Sequence, residues 1–200
     1  MVSTGKGITP TLYEHLQLGA CRVRKIKLML ELLCISGSLR QRSSNTAVLE
    51  AVRLLAPSSV KVTAYAGLAD LPPFNPDRES EPILAVQTFR DLLERSSAVL
   101  ISSPEYAHGL PGVLKNALDW VVGSGELSEK PVVLLSASPR AVHAQAQLEE
   151  VLFTMNARVL REAFVSVNLL GSGLDAAGIV AHPEHSRVLR EMLEGLLAVL

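Results

Sequence analysis

Leu32-Leu33-Cys34-Ile35-Ser36-Gly37-Ser38-Leu39-Arg40-Gln41-Arg42-Ser43-Ser44-Asn45 is an apolar run that stops at a cluster of small polar residues, directly ahead of a helical pattern. A buried strand that ends this way and enters a helix gathers backbone N–H groups, hydroxyls and guanidinium groups at one spot. A helix N-terminus has unpaired donors and the positive end of the helix dipole, so that spot suits an anion such as a phosphate. Neither a Walker lysine nor a GxGxxG pattern is present. The plainer alternative is an N-capped helix after a buried strand, because Ser and Asn are also the favoured caps.

Outward from this stretch the chain alternates strand-like and helix-like segments. The pattern predicts strands at 30–36, 60–65, 98–102, 132–136 and in the region 158–168. Helices are predicted at 45–55, 83–95, 113–122, 142–155 and 183–200. Asp70-Leu71-Pro72-Pro73-Phe74-Asn75-Pro76 carries three prolines and reads as an extended loop. No internal repeat or low-complexity tract stands out. Strands separated by helices imply an α/β fold, a doubly wound five-stranded parallel sheet with helices on both faces. Such sheets bind ligands beyond the carboxyl ends of their strands, where strand order reverses. The loops after strands one, three and four should therefore converge on one crevice.

Composition limits the partners. The 200 residues suit one domain, and 48% apolar content fills a sizeable core. Nineteen basic against twenty acidic residues leave no electrostatic footprint for nucleic acid or an anionic membrane. Cys21 and Cys34 have neither CxxC nor zinc spacing, which suggests a reducing, cytoplasmic location and no metal. Residues 1–25 read as a flexible N-terminal extension ahead of a domain at 26–200. The apolar run after Arg22, Arg24, Lys25 and Lys27 is too short and too interrupted for a signal peptide or a membrane span.

A second motif follows the third strand. Ser103-Pro104-Glu105-Tyr106 leads to Pro111-Gly112-Val113-Leu114-Lys115-Asn116-Ala117-Leu118-Asp119-Trp120. With Gly37-Ser38-Leu39-Arg40, Ser43 and Asn45, this stretch resembles the NADPH-dependent FMN reductase family, which includes quinone, azo dye and chromate reductases. The resemblance runs from Leu30 to about Pro139 and implies a flavodoxin-like fold. It implies that Ser38, Arg40, Ser43 and Asn45, with the amides through Ser44, hold the FMN phosphate. It also implies that Pro104, Glu105 and Tyr106 line the isoalloxazine ring mainly through backbone groups. Amides between Glu105 and Ala107 would face the pyrimidine edge, and Ser138 would join from the loop after strand four. Two departures stand out. The Asn that often follows Pro-Glu-Tyr is Ala107, with His108 next, and Ser136-Ala137-Ser138-Pro139-Arg140 replaces a Gly-rich loop.

The implied activity is hydride transfer from NADPH or NADH through FMN to a small acceptor, such as a quinone, free flavin, azo compound or chromate, in a ping-pong cycle. The cofactor carries that chemistry, so no catalytic side chain is assigned, His108 included. Lys115, Asn116 and Asp119 read as structural, and Trp120 as core or subunit interface. The helix bearing Leu114, Leu118, Trp120 and Val121 offers more apolar surface than one sheet face requires, which together with the resemblance suggests a homodimer or a dimer of dimers. A flavodoxin-like electron carrier that never oxidises a nicotinamide is the competing reading.

Overall fold

β1 (Leu30–Ser36) is buried through its centre and sends alternate side chains to opposite faces, as a strand covered on both sides must. It pairs in parallel with β2 (Val60–Tyr65) and with β3 (Ala98–Ser102). β3 pairs in turn with β4 (Pro131–Ser136), and all five residues of β3 are buried. The computed structural model describes residues 29–200, so the expected extension at 1–25 lies outside the described residues. With a short β5 (Arg158–Val159) beside β4, the strand order is β2-β1-β3-β4-β5, which reverses between β1 and β3. This is the flavodoxin-type order, with its ligand crevice at that switch point.

The helices divide the core in two. α1 (Ser44–Leu55), α5 (Ala176–Ala181) and α6 (Pro183–Val199) pack on the face that carries Leu32, Cys34, Leu100, Val133 and Leu135. α2 (Leu84–Arg95), α3 (Gly112–Asp119) and α4 (Val142–Thr154) cover Leu33, Ile35, Val99, Ile101, Val132 and Leu134. α1 begins where Ser43 Oγ accepts from the Thr46 amide at 3.4 Å. It buries Val48, Leu49, Ala51, Val52 and Leu55 at helical spacing and stops ahead of Pro57.

Three expectations need correction. The fifth strand is two short pieces, β5 (Arg158–Val159) and β6 (Val165–Ser166), separated by a 3-10 turn at Arg161–Ala163; both pair with β4. α5 was not expected, and it is started by Asp175, whose carboxylate accepts from the Gly178 amide at 2.8 Å. α3 ends at Asp119, and Leu114, Leu118, Trp120 and Val121 are all buried within the same chain. That apolar surface is spent on the protein's own core and gives no support to a subunit interface. The Trp120 indole donates to Pro72 O at 2.8 Å and meets the Phe74 ring edge-on.

The proline-rich segment is held from α3, as the structural reading of Asn116 implied. Asn116 Oδ1 accepts from the Phe74 amide at 2.7 Å, and its Nδ2 donates to Pro72 O at 2.9 Å. One amide side chain thus fixes a stretch whose prolines exclude regular hydrogen bonding.

Candidate functional site

At the switch point β1 continues into its loop with the Gly37 amide donating to Ser102 O at 2.9 Å. A Cβ on Gly37 would stand 2.9 Å from Ser103 Oγ and 3.1 Å from Leu114 Cδ2, so any larger residue would have to push the Ser103 hydroxyl and the Leu114 side chain aside for this loop to lie against the one after β3. The hydroxyls then organise the loop. Ser36 Oγ accepts from the Ser38 amide, and Ser38 Oγ accepts from the Arg40 amide. Ser43 caps α1, so the capping alternative holds for that residue, while its hydroxyl proton remains able to reach an anion. Asn45 Oδ1 accepts from the fully buried Ser102 hydroxyl at 2.9 Å, which leaves Nδ2 as the donor that Asn45 presents.

The loops after β1, β3 and β4 converge on one cleft of about 410 Å³, within the range of small-molecule sites. Ser38, Arg40, Ser43, Ser44, Asn45, Pro104, Glu105, Tyr106 and Ser138 all line it. Ala107 does not, because it sits at the tip of a tight turn. The Tyr106 and Gly109 amides and carbonyls pair reciprocally at 3.0 Å, with Ala107 at φ 49° and His108 at φ 58° between them. Two successive positive φ values define a type I′ turn, whose first position favours Asn for its tolerance of this conformation. The Asn that Ala107 replaces therefore has a backbone role to play here. The same pairing removes the Tyr106 amide from the donors expected at the cleft and, with Ala107 off the lining, leaves that of Glu105.

The Glu105 side chain has a part that the sequence did not indicate. Its Oε2 accepts from the His143 and Ala144 amides, at 2.8 and 3.0 Å, capping α4 from a loop far away in sequence. The Ala144 amide is the main influence that holds this carboxyl below its usual range, with the His143 amide and the two neighbouring imidazoles adding to it. His108, for which the sequence shows no partner, lies with Nδ1 3.3 Å from Glu105 Oε1 and its ring edge-on to His143 at 4.6 Å.

Sequence reasoning missed a fourth wall. Leu169, Leu170 and Gly171, after β6, also line the cleft, and the run Gly171-Ser172-Gly173 after the fifth strand region was the available signal. It missed a repeat as well. Ser36-Gly37-Ser38-Leu39-Arg40 and Ser136-Ala137-Ser138-Pro139-Arg140 share one pattern and one set of bonds. Ser136 Oγ accepts from the Ser138 amide, and Ser138 Oγ accepts from the Arg140 amide. Both arginines line the cleft, which is polar where β1 meets α1 and more apolar toward Pro104, Tyr106, Ala141, Leu169 and Leu170.

An open parallel sheet in flavodoxin order, with a cleft lined by serine hydroxyls and a helix end at its switch point, is a flavodoxin-like α/β protein. The chain belongs to the family described as NADPH-dependent FMN reductase, whose model matches residues 30–170. It is 30% identical over 173 residues to an NAD(P)H-dependent FMN reductase of Pseudomonas aeruginosa, covering 84% of this chain and 93% of that one. A quinone reductase of Escherichia coli is 30% identical over 140 residues, 66% of this chain and 74% of that one. The flavoenzyme NAD(P)H:(acceptor) oxidoreductase FerB of Paracoccus denitrificans superposes with a TM-score of 0.67 at 25% identity, covering 83% of this chain and 94% of that chain.

Proposed function

We propose that the protein is an FMN-dependent NAD(P)H oxidoreductase that reduces a small acceptor, with quinones as the leading class and free flavin, azo compounds and chromate as alternatives. One observation carries this reading: a single cleft joins a phosphate-suited loop to a partly apolar wall at the switch point of a flavodoxin-type sheet. The residues fit a flat ring that bears a phosphate. Ser38, Arg40 and Ser43, the Ser44 and Asn45 amides and Asn45 Nδ2 would hold the phosphate, while Pro104, Glu105 and Tyr106 would line the ring, flanked by Ser138. FMN, when bound, supplies hydride acceptance from a nicotinamide and onward delivery of the electrons.

The chain's own part is to bind, orient and shield. Arg40 offers charge-assisted bonds to the phosphate, and the buried Ser102–Asn45 pair fixes the donor geometry in advance. The Glu105 amide would be the donor for negative charge that develops at the cleft during reduction. Nicotinamide and acceptor use one opening in turn, so double-reciprocal plots at several acceptor concentrations are expected to be parallel. The reading includes a homodimer or dimer of dimers in a reducing, cytoplasmic compartment. It rests on the resemblance and on the buried thiol of Cys34 rather than on any exposed helix face. Among the described residues no helix is long and apolar enough to cross a membrane.

The test is the visible spectrum of the purified protein with FMN, before and after NADPH or NADH is added under nitrogen. Bleaching by a nicotinamide is the expected result. Reduction by dithionite but by neither nicotinamide would replace this reading with the electron-carrier one, and binding of riboflavin as tightly as FMN would remove the phosphate assignment.

A further inference from the structure

Glu105, His108 and His143 come together from the turn after β3 and the first turn of α4, outside the lining of the phosphate end of the cleft. Each offers one ligand atom, and these atoms all lie within 4.8 Å of one another. We propose that the three side chains form a binding site for a divalent transition-metal ion, with zinc as its natural probe, at the rim of the cleft.

The donor set argues for the metal class. Two imidazole nitrogens and one carboxylate oxygen suit zinc, cobalt, nickel or copper and are a poor match for magnesium or calcium, which take oxygen ligands. The distances argue for the geometry. Zinc bonds of about 2.0–2.1 Å in a tetrahedron put neighbouring ligand atoms roughly 3.3–3.4 Å apart. His108 Nδ1 already stands 3.3 Å from Glu105 Oε1. His143 needs only to turn an exposed ring that already meets His108 edge-on at 4.6 Å.

The surroundings prepare the ligands. Glu105 spends Oε2 on the His143 and Ala144 amides, which orients the carboxylate and leaves Oε1 for the ion, as an outer shell does in built metal sites. Glu105 is mostly buried, its side chain 14% exposed, so it is held still while the two histidines remain open to solvent. The type I′ turn at Ala107 and His108 brings His108 back over Glu105 at the expense of two left-handed residues, neither of them glycine. A bound ion would clip the turn after β3 to the N-terminus of α4, two walls of one cleft, with water in its fourth position. This site needs neither FMN nor the oxidoreductase reading.

The competing account is a plain ion pair between His108 and Glu105 with His143 packed beside it. Calorimetric titration with Zn²⁺ separates the two, done with and without FMN on the full chain carrying His15→Ala, since His15 lies outside the described residues. This background protein is expected to bind one Zn²⁺ per chain and to melt at a higher temperature with it. His108→Ala and His143→Ala should each weaken binding by at least about tenfold and lose the Zn²⁺-dependent rise in melting temperature, while melting normally without metal. His185→Ala, which breaks the only other histidine pair among the described residues, stacked at 3.9 Å, should leave binding unchanged. Equal binding in His143→Ala, or loss confined to His185→Ala, would overturn the proposal, as would no binding at all.

Discussion

Asn45→Asp separates the phosphate assignment from every structural role of this position. Asn45 is the second residue of α1, 9% exposed, and its Oδ1 takes the Ser102 hydroxyl at 2.9 Å. Aspartate keeps the shape and that bond, and it exchanges the Nδ2 donor for a carboxylate oxygen. Losing a hydrogen bond to a charged group removes about 1.5–3 kcal/mol. A unit negative charge about 4 Å from the phosphate adds repulsion of up to about 4 kcal/mol at an effective dielectric constant near 20. Protonation limits the total, because taking up a proton at pH 7 against an ordinary Asp pKa of about 3.9 costs only about 4 kcal/mol. The expected loss of FMN affinity is therefore roughly a hundredfold to a thousandfold.

The ligand-free protein should respond in the opposite sense. A carboxylate in the first turn of a helix is stabilising by about 0.3–1 kcal/mol, so melting without FMN should hold steady or rise by up to about 4 °C. Fluorescence titrations with FMN and with riboflavin, paired with thermal melts, measure both effects. Riboflavin, which lacks the phosphate, should bind the variant and the native protein alike. FMN affinity within threefold of native, or an equal loss for riboflavin, would refute the placement of the phosphate at this helix.

Three further outcomes follow from the fold. Asn116→Ala removes the bonds to Phe74 N and Pro72 O and should cost about 2 kcal/mol, seen as a fall in melting temperature of roughly 4–8 °C. Burial raises the Glu31 carboxyl, but hydrogen bonds from Lys61 and Thr63 with the charges of Lys61 and Arg95 outweigh it, and the pKa lies below the ordinary value. Its stabilisation is present above the unfolded pKa near 4.5 and fades as pH falls through the lower folded value; urea melts of Glu31→Gln should accordingly lose part of the acid-side slope. Burial, with a smaller contribution from Glu50, pushes the Cys34 thiol up to about 12, so in a Cys21→Ser background a disulfide reagent at pH 8 should label the chain only after unfolding.

What the sequence showed of the fold was what local pattern controls. β1 and β3 have the expected bounds because short, mostly apolar runs ended by serines have few other uses, and β2 because Val60, Val62 and Ala64 alternate with more polar neighbours. The fifth strand broke because Arg161-Glu162-Ala163 turns between two pieces that each pair for only two residues, too short for periodicity to register. α5 escaped because it is six residues long, contains Gly178 and follows a Gly-Ser-Gly run that reads as loop. The cleft was legible in three of its four walls, since strand ends in a parallel sheet name their own loops. The cluster at Glu105 was not, because His143 lies on another helix and only the crossover from β4 brings it there.

The Ser-x-Ser-x-Arg repeat raises the question of which loop would receive the phosphate of the proposed FMN, and the helices that follow favour the first. After Arg40 comes α1, twelve residues long, with Ser43 taking the Thr46 amide and the Ser44 and Asn45 amides left at its open end. After Arg140 comes α4, whose first amides, those of His143 and Ala144, already bond the Glu105 carboxylate. The protein's own anion holds the second helix end, so a phosphate there would meet like charge and spent donors, whereas α1 offers both dipole and donors. Arg40→Ala should therefore weaken FMN binding by about 1.5–3 kcal/mol, roughly tenfold to 150-fold. Arg140→Ala should leave FMN affinity within about threefold of native. Parallel titrations of the two variants with FMN and riboflavin decide the matter. Equal losses of FMN affinity would mean that the arginines act as one charge field across the cleft, and a larger loss in Arg140→Ala would move the phosphate to the other loop.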